Sequence, residues 1–419
     1  MKKHPLIKFT FLVIMFLPFV NSFAQQIKSY DLKVAVDVYT KKIQVNGQII
    51  IDFEGKESIS TVLWKNTKIA EVSLKKSKLD YVFETDKPTP VIYIDDGKEF
   101  VIYNRTGQKG NVLVKVSYES DFTSMENSSE SFTADWLQIG FYNAWFPVHL
   151  KSREATSKIE LKINEGFKVS SSGLVTKKGG VWLINQPWGA YDNVIIASKD
   201  LKTERIVKDG NTVDLVYTEL SDVDKATVLE ISQEALKYFG TFYPKQDKAY
   251  LKFVVRYSNN GGGYNRSKFI SLRFKKLNYS AKKTIAHEIA HFWATGANPT
   301  TWQDWLNESF AEYSALMFVK ERLSEEVFDK FITQYKKTTL NLNEIWGALR
   351  ESDKAYFIFY RKGALVLNDL NIKVGAKTFK KILNLKSQKK IVKTIDFLNL
   401  LEEVSGKETR NWFENKLKK

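Results

Sequence analysis

The sequence predicts two domains packed against each other, an all-β sandwich followed by an α+β domain that is mainly helical. Three observations support this prediction. The chain has 419 residues, whereas a single core usually holds about 150. As far as residue 200, short runs alternate apolar and polar residues, which is typical of strands with one buried face. Beyond that point, the apolar residues recur mostly with helical spacing.

The alternating segments define the first domain, which we assign to residues 25–200. Residues 32–38, 43–49 and 112–116 each alternate between apolar and polar side chains, and the Lys-Gly-Gly at 178–180 is one of several turn signals between such runs. Many short strands separated by turns are typical of a β-sandwich.

The second domain is assigned to residues 201–419. Its sequence predicts a β-hairpin, a helix over 222–239 and strands over 250–257 and 269–274, with helical spacing after residue 280. A glycine-rich stretch at 259–263 is expected to be a loop.

The amino terminus has the features of a secretory signal. Lys2, Lys3 and Lys8 precede an apolar run at 9–20, and Ser22 and Ala24 supply small residues before a cleavage point. The run is only about half as long as a membrane-spanning helix. We expect residues 1–24 to be a cleaved signal peptide and the mature chain to be secreted or periplasmic. An uncleaved membrane anchor is the alternative, and no later segment is expected to be a transmembrane helix.

Composition limits the partners and the metal chemistry. The chain contains no cysteine, which excludes disulfides and thiolate metal sites. Its formal net charge is +16, but the lysines are scattered and are not interleaved with aromatic residues. Nucleic acid is therefore not expected as a partner. The charge indicates solvated basic faces or, alternatively, attraction to an acidic cell surface or another polyanion.

Residues 287–291 read His-Glu-Ile-Ala-His and carry the strongest chemical signal. Ser280 is a candidate N-cap and Gly296 a candidate stop, so we expect the motif on a helix. Side chains four residues apart share a helix face, so His287 and His291 can bind one metal ion. Glu288 lies about 100° around the helix. It is placed to reach a water on that ion rather than to bind the ion itself.

A second helix is expected to supply the third ligand. Residues 305–313 read Trp-Leu-Asn-Glu-Ser-Phe-Ala-Glu-Tyr, with Asp304 as a candidate cap. A catalytic zinc site has three protein ligands and one open position, and we assign Glu308 as the third. One turn later, Glu312 can accept a hydrogen bond from a ligating imidazole, although a surface carboxylate is an equal alternative. The expected cofactor is one Zn²⁺ per chain.

Together, these two motifs resemble the alanyl-aminopeptidase family of gluzincins, whose pattern is HExxH, a spacer and then W-L-N-E-G-F-A. The resemblance implies a thermolysin-like catalytic domain behind the β-sandwich, a zinc cofactor, and peptide or protein substrates. The spacer between His291 and Glu308 is shorter here than is usual for the family, so a loop is expected to be trimmed.

Residues 360–364, Tyr-Arg-Lys-Gly-Ala, are similar to the family's Y-x-K-G-A. The resemblance implies that the Tyr360 hydroxyl stabilises the oxyanion while Glu288 acts as the general base toward a zinc-activated water. The alternative for Tyr360 is a packed tyrosine among neighbouring aromatic residues.

One family motif is altered. Family exopeptidases carry G-x-M-E-N, whose glutamate holds the free amino end of the substrate. The equivalent residues, 261–265, read Gly-Gly-Gly-Tyr-Asn, so Tyr264 replaces the glutamate. We assign Gly262, Gly263, Tyr264 and Asn265 to substrate binding, with a surface turn as the alternative. We also expect the substrate backbone to pair along the strand at 269–274.

The sequence also ends where the helical C-terminal domain of larger family members would follow, which predicts a more open cleft. An exported zinc peptidase that hydrolyses peptide bonds is therefore the leading hypothesis. The alternatives are a true zinc aminopeptidase with a different amine anchor and a non-catalytic binding module stabilised by zinc. The presence of both Glu288 and Tyr360 favours an enzyme, because a binding module needs neither of them.

Overall fold

The computed structural model describes residues 25–419 except 75–76, 90, 92, 95, 106, 127–129, 209, 246–249 and 260. The proposed signal peptide, residues 1–24, lies outside this range. The first domain contains the strands Gln26–Asp37 (β1), Lys42–Asp52 (β2), Ser58–Trp64 (β3), Thr67–Leu74 (β4), Ser77–Lys78 (β5), Tyr81–Glu84 (β6), Gly97–Tyr103 (β7), Asn111–Asp121 (β8), Ser131–Phe132 (β9), Leu137–Ile139 (β10), Thr156–Ile163 (β11), Lys168–Ser171 (β12), Leu174–Lys178 (β13), Val181–Gln186 (β14) and Ile195–Ser198 (β15).

The described strands of the first domain form a large sheet and two smaller sheets, which pack around a shared hydrophobic core. The large sheet has the order β13-β14-β11-β1-β2-β8-β4-β5, with β1 and β11 parallel. The smaller sheets have the orders β3-β7-β6 and β12-β15-β10-β9. Alternation along the strands separates buried from exposed side chains. In β8, for example, Val112 and Val114 are buried, whereas Leu113 is exposed.

In the second domain, the described residues form one sheet and seven α-helices. Its strands are Lys202–Lys208 (β16), Asn211–Tyr217 (β17), Tyr250–Tyr257 (β18), Gly262–Arg266 (β19) and Phe269–Phe274 (β20). Its α-helices are Asp222–Phe239 (α1), Tyr279–Ala290 (α2), Trp305–Phe318 (α3), Glu325–Thr339 (α4), Gly363–Val374 (α5), Ala376–Gln388 (α6) and Thr394–Leu417 (α7). Short 3₁₀ turns lie at Phe141–Asn143 and Trp302–Asp304, and π-helical turns at Val319–Leu323 and Phe357–Lys362. This arrangement confirms the predicted fold class.

The expected loop at 259–263 is only partly correct, because Gly262 and Gly263 begin the strand β19. The sheet order is β16-β17-β18-β20-β19, and β19 pairs antiparallel with β20 from Gly262↔Arg273 to Arg266↔Phe269. Because β18 occupies the other side of β20, both edges of β20 are paired. The expected pairing of substrate along 269–274 is therefore wrong, and the edge strand of this sheet is β19.

The limits of α2 also differ from the prediction. Asn278, not Ser280, is the N-cap, and its side chain accepts a hydrogen bond from the Ala281 amide at 3.0 Å. The helix ends at Ala290 rather than near Gly296, because the following residues form tighter turns, in which the amides of Phe292 and Trp293 donate to carbonyls three residues earlier. Since His291 keeps helical dihedral angles, the two histidines still face the same side.

Buried polar contacts join the two domains. The ammonium of Lys252 donates to the carbonyls of Ser171 at 2.6 Å and Gly173 at 2.8 Å. The Gln138 side-chain amide donates to the hydroxyls of Tyr264 at 2.8 Å and Ser271 at 2.9 Å. These contacts fix the domains on either side of a cleft. No helix within the described part of the chain is long and apolar enough to cross a bilayer.

Candidate metal centre and cleft

Helices α2 and α3 bring three metal-binding side chains to one point. The Nε2 atoms of His287 and His291 lie 3.1 Å apart, and each is 3.4 Å from Oε2 of Glu308. Ligand bonds of about 2.1 Å at tetrahedral angles put neighbouring donors about 3.4 Å apart. The triangle formed by these three atoms therefore has the size that one zinc ion requires.

The hydrogen bonds behind the histidines orient their bare nitrogens toward this point. His291 Nδ1 lies 2.9 Å from the Ala294 carbonyl, which can only accept, so Nδ1 carries the proton. His287 Nδ1 lies 2.8 Å from a carboxylate oxygen of Glu312 and is a donor by the same reasoning. In a neutral imidazole the other nitrogen is then a bare acceptor. Two bare nitrogens thus face Glu308 Oε2, which is buried and has no hydrogen-bond partner among the described residues.

Such a cluster of acceptors requires a positive charge. Burial lowers the pKa of His287, but the adjacent carboxylates of Glu308 and Glu312 reverse this effect and raise the pKa to about 10. The chain therefore stabilises a cation here, either a proton or a metal ion. Nitrogen and carboxylate donors in a three-ligand set suit zinc, so the residues fit the predicted cofactor.

Glu312 is held behind the metal site by partners that the sequence analysis did not identify. Its Oε1 accepts from Lys283 Nζ at 2.5 Å and from the Tyr335 hydroxyl, and the residue is 2% exposed. The surface alternative for Glu312 is therefore wrong. Lys283 precedes His287 by one helical turn, and this spacing could have revealed it. Tyr335 lies on α4 and gives no local signal.

Glu288 lies beside the edge strand β19 and borders the same cleft as the three donor atoms. A Cβ atom added to Gly263 would lie 3.0 Å from Glu288 Oε1, so glycine keeps the space in front of the carboxylate open. The Asn265 side chain donates to the Glu288 carbonyl at 2.8 Å and ties β19 to α2. Burial raises the pKa of Glu288, which favours proton acceptance.

Tyr360 lies on the π-helical turn Phe357–Lys362 and stacks on His287, with ring centroids 5.6 Å apart. This turn approaches α3 closely because residue 363 is glycine. A Cβ atom there would lie 1.8 Å from the hydroxyl oxygen of Ser309. The glycine of the Tyr-Arg-Lys-Gly-Ala sequence therefore allows Tyr360 to reach the metal site.

One cleft of about 700 Å³ connects these residues. Its walls include the metal ligands, Glu288, Tyr360 and every residue from Gly262 to Lys268. Tyr264 borders this cleft but is 7% exposed, and its hydroxyl already accepts a hydrogen bond from Gln138. The surface-turn alternative for residues 261–265 is wrong, because 262–266 form a strand against the site.

Comparison with known proteins is consistent with this geometry. Residues 272–415 match the model of the peptidase family M1 domain. Aminopeptidase M1-C of Oryza sativa subsp. japonica is 28% identical over 245 residues, covering 50% of this chain and 27% of that protein. Aminopeptidase N of Streptomyces lividans is 25% identical over 300 residues, which cover 62% of this chain and 34% of that protein. The matched region thus spans about a third or less of these relatives.

Solved structures share the fold over nearly the whole chain. An M1 zinc metallopeptidase from Deinococcus radiodurans superposes with a TM-score of 0.71 at 16% identity, covering 94% of both chains. A mutant of the M1 zinc metallopeptidase from that organism, solved with a Tyr-Ser-Ala substrate, has a TM-score of 0.69, also at 16% identity and 94% coverage of both chains. Residues 272–415, which contain all three proposed metal ligands, are thus similar to a peptidase family M1 domain, in agreement with the resemblance of the two motifs to the alanyl-aminopeptidase family of gluzincins.

Proposed function

We propose that this protein is a zinc-dependent peptidase that hydrolyses peptide bonds. The observation that carries the proposal is that the three donor atoms, the Glu288 carboxylate and Tyr360 all border one cleft. His287, His291 and Glu308 would hold the metal. Zinc at this position supplies Lewis-acid chemistry, which acidifies water and polarises a carbonyl group.

Each remaining residue has a separate task. Glu288 accepts the proton of the attacking water in the space that Gly263 leaves open, and later returns a proton to the leaving nitrogen. The Tyr360 hydroxyl donates a hydrogen bond to the oxyanion as it develops. Glu312 keeps the Nδ1 proton of His287 in place, so that Nε2 remains free to bind the metal.

The edge strand β19 supports an extended mode of substrate binding. Its side away from β20 is unpaired among the described strands, and a peptide can add there by backbone hydrogen bonds. The cleft follows β19 past Tyr264 as far as Lys268. Because Tyr264 is an uncharged phenol, it cannot compensate a desolvated ammonium group. Substrates are therefore proposed to extend on both sides of the cleaved bond.

The first experiment tests hydrolysis itself. Purified protein is assayed with internally quenched peptides as isolated, after chelation, and after zinc is added back, alongside Glu288→Gln. Activity is expected to disappear on chelation and return with zinc. The Glu288→Gln variant should bind zinc and remain folded but lose turnover, because an amide cannot accept the proton. Zinc binding without hydrolysis of any peptide would favour the non-catalytic module.

A second experiment separates the two enzymatic alternatives. Peptides of the same sequence are compared with a free and with an acetylated amino terminus, and cleavage products are identified by mass spectrometry. The acetylated peptide is expected to be cleaved at least as fast, and single amino-acyl amide reporters slowly. Selective release of one residue from free amino termini would instead establish an aminopeptidase whose amine anchor lies elsewhere in the cleft.

Export is proposed from the first 24 residues alone. Expressed in a secreting host, the protein is expected in the periplasm or medium with Gln25 as its first residue, as measured by intact-mass analysis. Retention of residues 1–24 in a membrane fraction would favour the anchored alternative.

A further inference from the structure

Some of the positively charged side chains that line the cleft are paired with carboxylates, and others are not. The cations that border it are Arg153, Arg266, Lys268, Lys283 and Arg350. Three of these cations each form an ion pair with a buried carboxylate. The pairs are Arg266–Asp192 at 2.6 Å, Lys283–Glu312 at 2.5 Å and Arg350–Asp304 at 2.7 Å. The two that remain are Arg153 and Lys268.

Neither of these two cations forms an ion pair within the described part of the chain. Arg153 donates to the carbonyls of Gly296 at 3.2 Å and Ala297 at 3.4 Å. Lys268 has its ammonium 5.0 Å from the ring centroid of Trp188. A carbonyl and an aromatic ring leave a full positive charge that an anion can still neutralise.

The two cations flank one strip of the first domain. Trp188, the partner of Lys268, begins a segment that packs directly on the residues after Arg153. The amide of Ala190 donates to the Ala155 carbonyl at 3.0 Å. Ala190 and Tyr191 of this strip border the cleft. Arg153 and Lys268 therefore belong to the same end of the cleft, the end where β19 finishes.

This end lies several substrate residues from the reacting bond. Gly263 faces Glu288, and β19 continues for three more residues to Arg266. At about 3.3 Å per residue this is about 10 Å, which corresponds to about three residues of an extended peptide beside the strand. Lys268 lies in the turn that follows.

We infer that this end of the cleft is a subsite for an acidic side chain about three residues from the cleaved bond, with Arg153 and Lys268 as the residues that determine this specificity. The inference rests on the proposed peptidase function. Because exposed ion pairs are individually weak, the two together should favour glutamate over lysine by about twofold to thirtyfold in kcat/KM. Salt should weaken this preference.

The test uses acetylated, internally quenched peptides in which glutamate, glutamine or lysine is placed in turn at each of four positions on either side of the cleaved bond. Wild-type protein is compared with Arg153→Gln, Lys268→Gln and Lys268→Glu. The control is Lys381→Gln, because Lys381 is exposed on α6 outside the cleft. At one of these peptide positions, the wild-type protein and the control are expected to prefer glutamate. The neutral variants Arg153→Gln and Lys268→Gln should lose part of that preference, and Lys268→Glu should favour lysine.

Absence of a preference for glutamate at any position, or a preference unchanged in both neutral variants, would overturn the inference. Failure of the proposed function is recognised separately, as no cleavage of any peptide by the zinc-loaded protein. In that case, the binding of fluorescent glutamate and lysine peptides to the Glu288→Gln protein still tests the subsite. Equal affinities that do not change in Lys268→Glu would then exclude it.

Discussion

The phenol ring of Tyr360 lies nearly parallel to the imidazole of His287, with the ring planes 12° apart and the centroids separated by 5.6 Å. This ring contact thus positions both His287, a proposed metal ligand, and Tyr360, the proposed oxyanion donor. The ring of Tyr356 also packs against Tyr360, with the ring centroids 4.8 Å apart. Ring packing therefore fixes the position of the Tyr360 hydroxyl. A phenylalanine at position 360 would keep this packing and remove only the hydroxyl.

The first prediction follows from this stack. Tyr360→Phe should retain zinc, fold and KM, because the ring contacts remain. It should lower kcat by about 10² to 10³, the effect of removing one oxyanion donor. Steady-state kinetics with matched zinc analysis measures this. Tyr356→Phe is the control, since it removes a hydroxyl from the neighbouring ring, and it should change kcat little. Equal kcat values for Tyr360→Phe and wild type would contradict the assigned role.

A second prediction concerns Glu312. Glu312→Gln keeps an acceptor for His287 but loses the negative charge that stabilises the metal-bound imidazole, so the zinc dissociation constant should rise by about 10- to 100-fold. Competition with a chromophoric chelator measures the change. Glu326→Gln is the matched control, because Glu326 is exposed and pairs with the exposed Lys330. Unchanged zinc affinity would mean that Glu312 contributes only to folding.

Local spacing explains why most of the metal site could be predicted. His287 and His291 are one helical turn apart, and the helix carrying Glu308 follows after a short loop, so chain connectivity alone limits where the third donor can lie. The contacts of Glu312 with Tyr335 and of Tyr264 with Gln138 join residues distant in sequence. Nothing in the local pattern encodes them, because they depend on how whole elements pack.

The edge strand β19, in contrast to the metal ligands, could not be predicted from the local sequence. Three successive glycines at 261–263 have little strand propensity, so the sequence favoured a loop. Pairing with β20 supplies the missing stability, and the lack of a side chain at Gly263 is required by the adjacent Glu288. Sequence reasoning is least reliable where a close approach to the site, rather than propensity, determines the residue.

The third prediction concerns the close approach of α3 and α5. Gly363→Ala should destabilise the protein by about 1 to 3 kcal/mol, although alanine favours helix, because the new methyl group would clash with Ser309. Chemical unfolding measures the loss. The double variant with Ser309→Ala should recover part of it, since the hydroxyl oxygen 1.8 Å from that position is removed. A single variant as stable as wild type would contradict the packing argument.

The last prediction concerns pH and His149. Its Nδ1 lies 2.7 Å from the buried Ser152 hydroxyl. Burial, and then the nearby charge of Lys151, lower the pKa of His149 to about 4. In the unfolded chain the pKa is about 6.5, so between these values the unfolded state binds the extra proton. The stability that neutral His149 provides is therefore fully present above about pH 6.5 and falls as the pH drops toward 4.

His149→Gln removes this titration while keeping a polar side chain near Ser152. Urea unfolding at pH 7 and pH 4.5 should show that wild type loses about 2 kcal/mol more than the variant does on acidification. Protonation of the metal ligands weakens both proteins equally, so it cancels in this comparison. If the two proteins lost stability in parallel, His149 would not be held neutral by the fold, and the acid sensitivity would have to come from other groups.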